Sequence, residues 1–200
     1  MKSKVVTFAF TLAVLAFAVC ANASPVTIQF NSTGSNSYAG AYTYPYYGTV
    51  NGQPTTFMCD SFNEHIGYGE SWQADVLNVA QYGKTLIGGL HEADEIAWLY
   101  TQAFADGGSD PRFNADAWFI KEGAPDITGD QQAMDIFNHV TTMSFTKGEF
   151  SNVRFYVPIP SEWTPLPQTF VSTTATPEPS SVLLLGSGLI GLASWVRRKA

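Results

Sequence analysis

Cysteine is the residue type whose count in this chain first points to chemistry. There are two in 200 residues, Cys20 and Cys59. Cys20 falls in an N-terminal segment expected to be removed, so the mature chain keeps one thiol, and one thiol cannot close an internal disulfide. Cys59 can be a buried, inert side chain that behaves as a small hydrophobe, or one half of an intermolecular disulfide. It ends a predicted strand in Phe57-Met58-Cys59-Asp60, which suits burial. His65, His91 and His139 are dispersed, with no His-x-x-x-His or clustered Cys/His spacing, so zinc has little support. The loops 106–110 (Asp-Gly-Gly-Ser-Asp) and 126–130 (Asp-Ile-Thr-Gly-Asp) are rich in oxygen ligands. Neither carries the full calcium-loop pattern, and such loops are usually solvated turns. No metal and no cofactor is expected. The chain has no Gly-x-Ser-x-Gly, no phosphate loop and no dinucleotide fingerprint. Carboxylates alone do not define a glycosidase pair. Tyr42, Tyr44 and Tyr46 alternate within a Tyr-rich stretch and would share one face of a strand. Buried, that face packs the sheet, which is the expectation; exposed, it can stack on sugar rings. Trp72, Trp98 and Trp118 are expected as core anchors.

Both ends read as addresses. Residues 1–23 have Lys2 and Lys4 before an apolar stretch, then Ala21-Asn22-Ala23, where Ala21 and Ala23 are the small residues a signal peptidase reads. Cleavage is expected before Ser24. Val19 precedes Cys20 where a lipobox wants Gly or Ala, so lipidation is not expected. At the other end, Pro177-Glu178-Pro179 is followed by an apolar run over 182–196 and then by Arg197-Arg198-Lys199-Ala200. That run covers only about 22 Å as a helix against a hydrocarbon core of roughly 30 Å, with Ser180 and Ser181 extending it and the basic cluster snorkelling at the cytoplasmic face. Motif, Gly-rich span and basic end, in that order, resemble a PEP-CTERM sorting signal. The resemblance implies a Gram-negative host, commonly one that makes exopolysaccharide. It also implies exosortase, a membrane cysteine transpeptidase, as the processing partner, with cleavage near Pro177, Glu178 and Pro179.

A weaker resemblance concerns Cys59. A Cys-Asp pair after an Asn-Gly hairpin, then Gly69-x-x-Trp72, recurs in PEP-CTERM proteins and is loosely similar to the thioester domains of bacterial surface adhesins. Those carry an aromatic-Cys motif and a later Thr-Gln-x-Ala-hydrophobic-Trp motif. Gln131-Gln132-Ala133-Met134 keeps Gln-x-Ala-hydrophobic, with Asp130 for the Thr and Asp135 for the Trp; Thr101-Gln102-Ala103-Phe104 keeps Thr-Gln only. The resemblance implies a bond between Cys59 and Gln131, formed when a thiolate attacks the amide and expels ammonia, and shielded from water until a ligand nucleophile captures it.

The elements that must position these residues follow from patterning. A strand is expected over 26–30, and Asn51-Gly52 marks a hairpin between 42–50 and 53–59, with Pro45 demoting the first half to an edge. Residues 70–79 read as a strand or a short helix. A helix begins near Leu90 and ends at Asp106-Gly107-Gly108; 116–119 is ambiguous; Asp130 is an N-cap for a helix that follows it; 153–159 is a last strand. Prolines from Pro158 to Pro167 lead into a stalk. The expected organisation is a signal peptide over 1–23, one α+β extracytoplasmic domain over 24–160, a Pro/Thr-rich stalk over 161–176 and a sorting signal over 177–200.

Residues 24–176 carry 16 of the 17 acidic and 5 of the 10 basic residues, a formal charge of −11. That acidity argues against nucleic acid. Aromatic content of 14% argues against disorder. The expectation is therefore an exported, non-enzymatic surface or matrix protein, sorted by exosortase and associated with exopolysaccharide. The alternatives are a covalent adhesin using Cys59 and Gln131, and a secreted hydrolase acting on polysaccharide.

Overall fold

Alternate burial along the first strand sets the architecture. In the computed structural model, which describes residues 24–160 and 166–173, β1 (Val26–Thr33) buries Val26, Ile28 and Phe30 and exposes the residues between them. The expected signal peptide with Ala21 and Ala23, the apolar C-terminal run, and Pro177, Glu178, Pro179, Arg197 and Arg198 lie outside the described residues. After β1 come β2 (Ser37–Tyr38), β3 (Ala41–Tyr42), β4 (Tyr46–Val50), β5 (Gln53–Cys59), β6 (Ser71–Leu77), β7 (Arg154–Pro158) and β8 (Phe170–Ser172). Six of them close a barrel in the order β1-β4-β5-β8-β7-β6, with β6 returning to β1 and every pairing antiparallel. β2 and β3 form a separate small hairpin.

The β4–β5 hairpin is built as its residues demand. Asn51 and Gly52 have φ of 50° and 79°, the left-handed pair that a two-residue turn needs to match strand twist. Asn51 Oδ1 also accepts the Thr27 N–H at 2.9 Å, fastening the turn to β1. Gly48 on β4 faces the Gln29 carbonyl so closely that a Cβ would collide with it.

Between β6 and β7 run α1 (Val79–Tyr82), a 3-10 turn (Gly83–Thr85), α2 (Gly89–Ala105), α3 (Arg112–Glu122) and α4 (Gln131–Thr141). Asn78 and Gln81 form a reciprocal capping box on α1, and Asp130 caps α4 by accepting from Gln132 N and Ala133 N, as its sequence position predicts. The helices cover one side of the barrel. Two cores result. Ile28, Phe30, Val50, Phe57, Cys59, Trp72, Tyr156 and Phe170 fill the barrel interior. Met58, Phe155 and Val171, which point outward from β5, β7 and β8, pack with Val79, Tyr82, Ile96, Leu99 and Tyr100 of the helical layer.

Several expectations change. The α+β class stands as a mixture of strands and helices, but the strands close on themselves. Residues 70–79 hold both a strand and the start of a helix, and 116–119 lies inside α3. Tyr42, Tyr44 and Tyr46 do not share a strand face: Tyr42 is exposed in β3, Tyr44 packs with the helical core, and Tyr46 points into the barrel. The expected boundary at 160 and stalk over 161–176 are also corrected, because Phe170–Ser172 is a fully buried strand that joins β5 to β7. Among the described residues no helix is long and apolar enough to cross a membrane.

Candidate binding cleft at the barrel rim

One rim of the barrel collects the ends of β1 and β5 and the starts of β4, β6 and β8. The chain leaves β5 through Cys59-Asp60-Ser61, and this step is held from below by α3. Asn114 donates through Nδ2 to the Cys59 carbonyl at 2.6 Å and accepts the Tyr44 N–H at 2.8 Å. Cys59 is fully buried, and its thiol donates to the Ser61 carbonyl at 3.0 Å. Burial, followed by the neighbouring Asp60, pushes the thiol pKa far above its ordinary value, against the opposing pull of the Ser61 backbone, Lys121 and Trp118. Gln131, by contrast, is exposed at the start of α4 and donates to Asp135 at 2.8 Å. The structure therefore does not bring Cys59 and Gln131 together. A thiol sealed in the barrel core and an amide on a solvent-facing helix start have separate partners, and the thioester expectation finds no support. Thr101 of the second candidate motif donates to the Trp98 carbonyl at 2.7 Å, an ordinary bond within its helix.

Asp60 is fully buried and accepts from three sides. Lys121 Nζ lies 2.9 Å from Oδ1, the Tyr82 hydroxyl donates to Oδ2, and Ser61 Oγ reaches Oδ1 at 3.3 Å. Lys121 also donates to Ser61 Oγ at 2.8 Å. A serine beside a lysine invites comparison with a nucleophile and its base, which requires a neutral amine. Here burial draws the Lys121 pKa down, but Asp60 and then Cys59 and Glu64 outweigh it, and the net shift is upward. Lys121 is held as an ammonium that donates. The cluster fastens α3 and α1 to the barrel. Glu122 completes the anchorage, since its Oε2 accepts from Phe62 N, Asn63 N and Asn63 Nδ2 at 3.1, 3.1 and 2.8 Å.

The loop so anchored walls a cleft of about 310 Å³ between the rim and the β2–β3 hairpin. Its lining is largely aromatic: Phe30, Tyr42, Tyr46, Phe62, Tyr68 and Trp118, with Ser61, His65 and Gln168 supplying polar atoms. Tyr42 and Tyr68 remain 51% and 62% exposed. Tyr68 is backed by Phe30, centroids 5.4 Å apart and planes inclined by 27°. Gln168 is buried; its Nε2 donates to the Glu64 carbonyl, while its Oε1 has no donor among the described residues. Among the described residues no Asp, Glu, Lys or Arg lines the cleft.

Away from the rim, the acidic loops serve turns. Asp106 accepts from Gly108 N and Asp110 N, Asp126 from Thr128 N, and the carboxylates of Asp110 and Asp130 are bridged by Arg112. Asp116 of α3 is fully buried with neither carboxylate oxygen partnered among the described residues. Burial, with Asp110 and Asp130 nearby, pushes its pKa up to about 8 against the pull of Arg112. Among the described residues no group of three or more His, Cys, Asp and Glu side chains is arranged to hold a metal ion. Of the histidines, His65 lines the cleft, His91 lies 3.2 Å from Glu95, and His139 packs edge-on to Trp98.

Sequence reasoning singled out the Tyr-rich stretch but not Tyr68 or Gln168, and weighed His65 only as a metal ligand. The usable signal was the short aromatic-rich loop Phe62 to Tyr68 between two strands. Compared with known proteins, residues 175–199 match the PEP-CTERM protein-sorting motif, a match that implies export and processing by exosortase. Neither the curated proteins nor the solved structures provide a match.

Proposed function

We propose that this chain, ending in a PEP-CTERM sorting motif, is a non-enzymatic component of the cell surface or extracellular matrix that associates with exopolysaccharide. The match over 175–199 carries the reading. Such a signal hands the exported protein to exosortase, which cuts near Pro177, Glu178 and Pro179 and removes the apolar run with Arg197 and Arg198. A non-enzymatic role is supported by the rim chemistry. Cys59 is buried and its thiol strongly disfavours ionisation, and Lys121 is kept charged by Asp60 beside Ser61. Cys59 and Ser61 both sit in contacts that brace the rim.

The test is the intact mass of the protein recovered separately from culture supernatant and from membranes of its native host. The expected species begins at Ser24 and ends near Pro177. A mass running through Ala200 in membranes, unchanged when exosortase is deleted, would overturn the sorting part. Failure of the trimmed protein to co-sediment with the host's isolated exopolysaccharide would overturn the association.

A further inference from the structure

We infer that the rim cleft is a subsite for one uncharged pyranose residue of a glycan, a reading that rests on the proposed association with exopolysaccharide and names the chemistry it would use. Three independent features point the same way. The first is open aromatic surface: Tyr42 and Tyr68 stand half or more exposed at the mouth, and Phe30 stacks behind Tyr68 and fixes its ring. Pyranose rings present flat C–H faces that pack on such rings, and a backed tyrosine offers that contact with little side-chain entropy to lose. The second is the Gln168 amide. It is 92% buried, one end is tied to the Glu64 carbonyl, and the carbonyl oxygen at the other end has no donor among the described residues. A buried acceptor without a donor is unfavourable; Oε1 is itself shielded from solvent, so a small turn of the Gln168 side chain would let a ligand hydroxyl in the cleft supply the missing donor.

The third feature is charge. Among the described residues the lining contains no Asp, Glu, Lys or Arg side chain, and residues 24–176 carry a formal −11. A uronate or a phosphate would enter a negative field and, among the described lining residues, find only the His65 imidazole and no Lys or Arg to pair with. A carboxylate also cannot donate to Gln168 Oε1, whereas a hydroxyl can. A cleft of about 310 Å³ has room for a sugar ring and its hydroxyls.

Saturation-transfer NMR tests this on the full chain in a zwitterionic detergent that carries no sugar headgroup. The probes are methyl glycosides of glucose, galactose and mannose, with galacturonic and glucuronic acid as the charged set. At least one neutral glycoside should show transfer to its ring C–H protons. Tyr68→Ala should weaken its binding about tenfold, and Tyr42→Ala should also weaken it. Tyr47→Ala, which removes an exposed tyrosine outside the cleft, should leave it unchanged. The inference is overturned by preference for the uronic acids, by no transfer from any neutral glycoside at millimolar concentration, or by equal weakening in all three variants. Co-sedimentation with exopolysaccharide by a Tyr42→Ala/Tyr68→Ala variant would leave the proposed association standing while placing it on another surface. A trimmed C-terminus without sugar binding would sink the cleft alone.

Discussion

Phe170 stacks on Phe57 inside the barrel, ring centroids 4.9 Å apart and planes inclined by 19°, and also lies within about 6 Å of Phe30, Tyr46 and Trp72. The ring at the centre of the core thus comes from a strand of three residues near the end of the described residues. Phe170→Ala should cost about 3–5 kcal/mol by leaving a cavity that four other rings cannot close. Against a typical total of about 5–15 kcal/mol, urea unfolding should show a sharply lowered midpoint. A loss below about 1 kcal/mol would mean that β8 does not close the barrel.

Breaking the buried ion pair should be as severe. Lys121→Met leaves Asp60 charged and fully enclosed, with an expected loss of about 3–5 kcal/mol. Adding Asp60→Asn should recover much of that loss, because no uncompensated charge then remains. A double variant no more stable than Lys121→Met would show that the pair matters for reasons other than charge.

Asp116 gives a pH signature. Its pKa in the folded protein is pushed up to about 8, above the roughly 3.9 of an unfolded aspartate. The native state therefore holds a proton that the unfolded chain releases, and this group's contribution to stability is lost as pH rises from about 4 to about 8. The slope is at most about 1.4 kcal/mol per pH unit. Asp116→Asn cannot ionise, so it should gain on the parent protein steadily across that window. Parallel stability curves from pH 5 to 8 would contradict the assignment.

Cys59 should resist modification. An aromatic disulfide reagent should leave it untouched in the native protein and consume one equivalent on unfolding. The intact mass should show no missing ammonia. Rapid labelling of folded protein would mean that the barrel opens at its Cys59 end.

Local signals were legible and nonlocal ones were not. Asn51-Gly52 and Asp130 declare a turn and a cap because the chemistry lies within a few residues of each. The strand at 26–30 was readable because one face of β1 meets solvent and alternates. β8 was not, since Phe170, Val171 and Ser172 are buried on both faces between the barrel interior and the helices, and the prolines before them read as a stalk. The tyrosine alternation misled because Pro45 separates β3 from β4, so the residues flanking it belong to different surfaces. The cleft was invisible for a further reason. Its walls come from β1, the β2–β3 hairpin, β4, the loop after β5, α3 and the approach to β8, and only closure of the sheet brings them together.

Closure by the last strand also sets an order of events. A chain threaded through a membrane N-terminus first delivers β1, β4, β5, β6 and β7 as an open sheet whose two free edges, on β5 and β7, stay unpaired until residue 172 has crossed. Ser172 and Pro177 are five positions apart. In a chain exported N-terminus first, the barrel could therefore close only once residues a few positions short of the sorting motif had crossed.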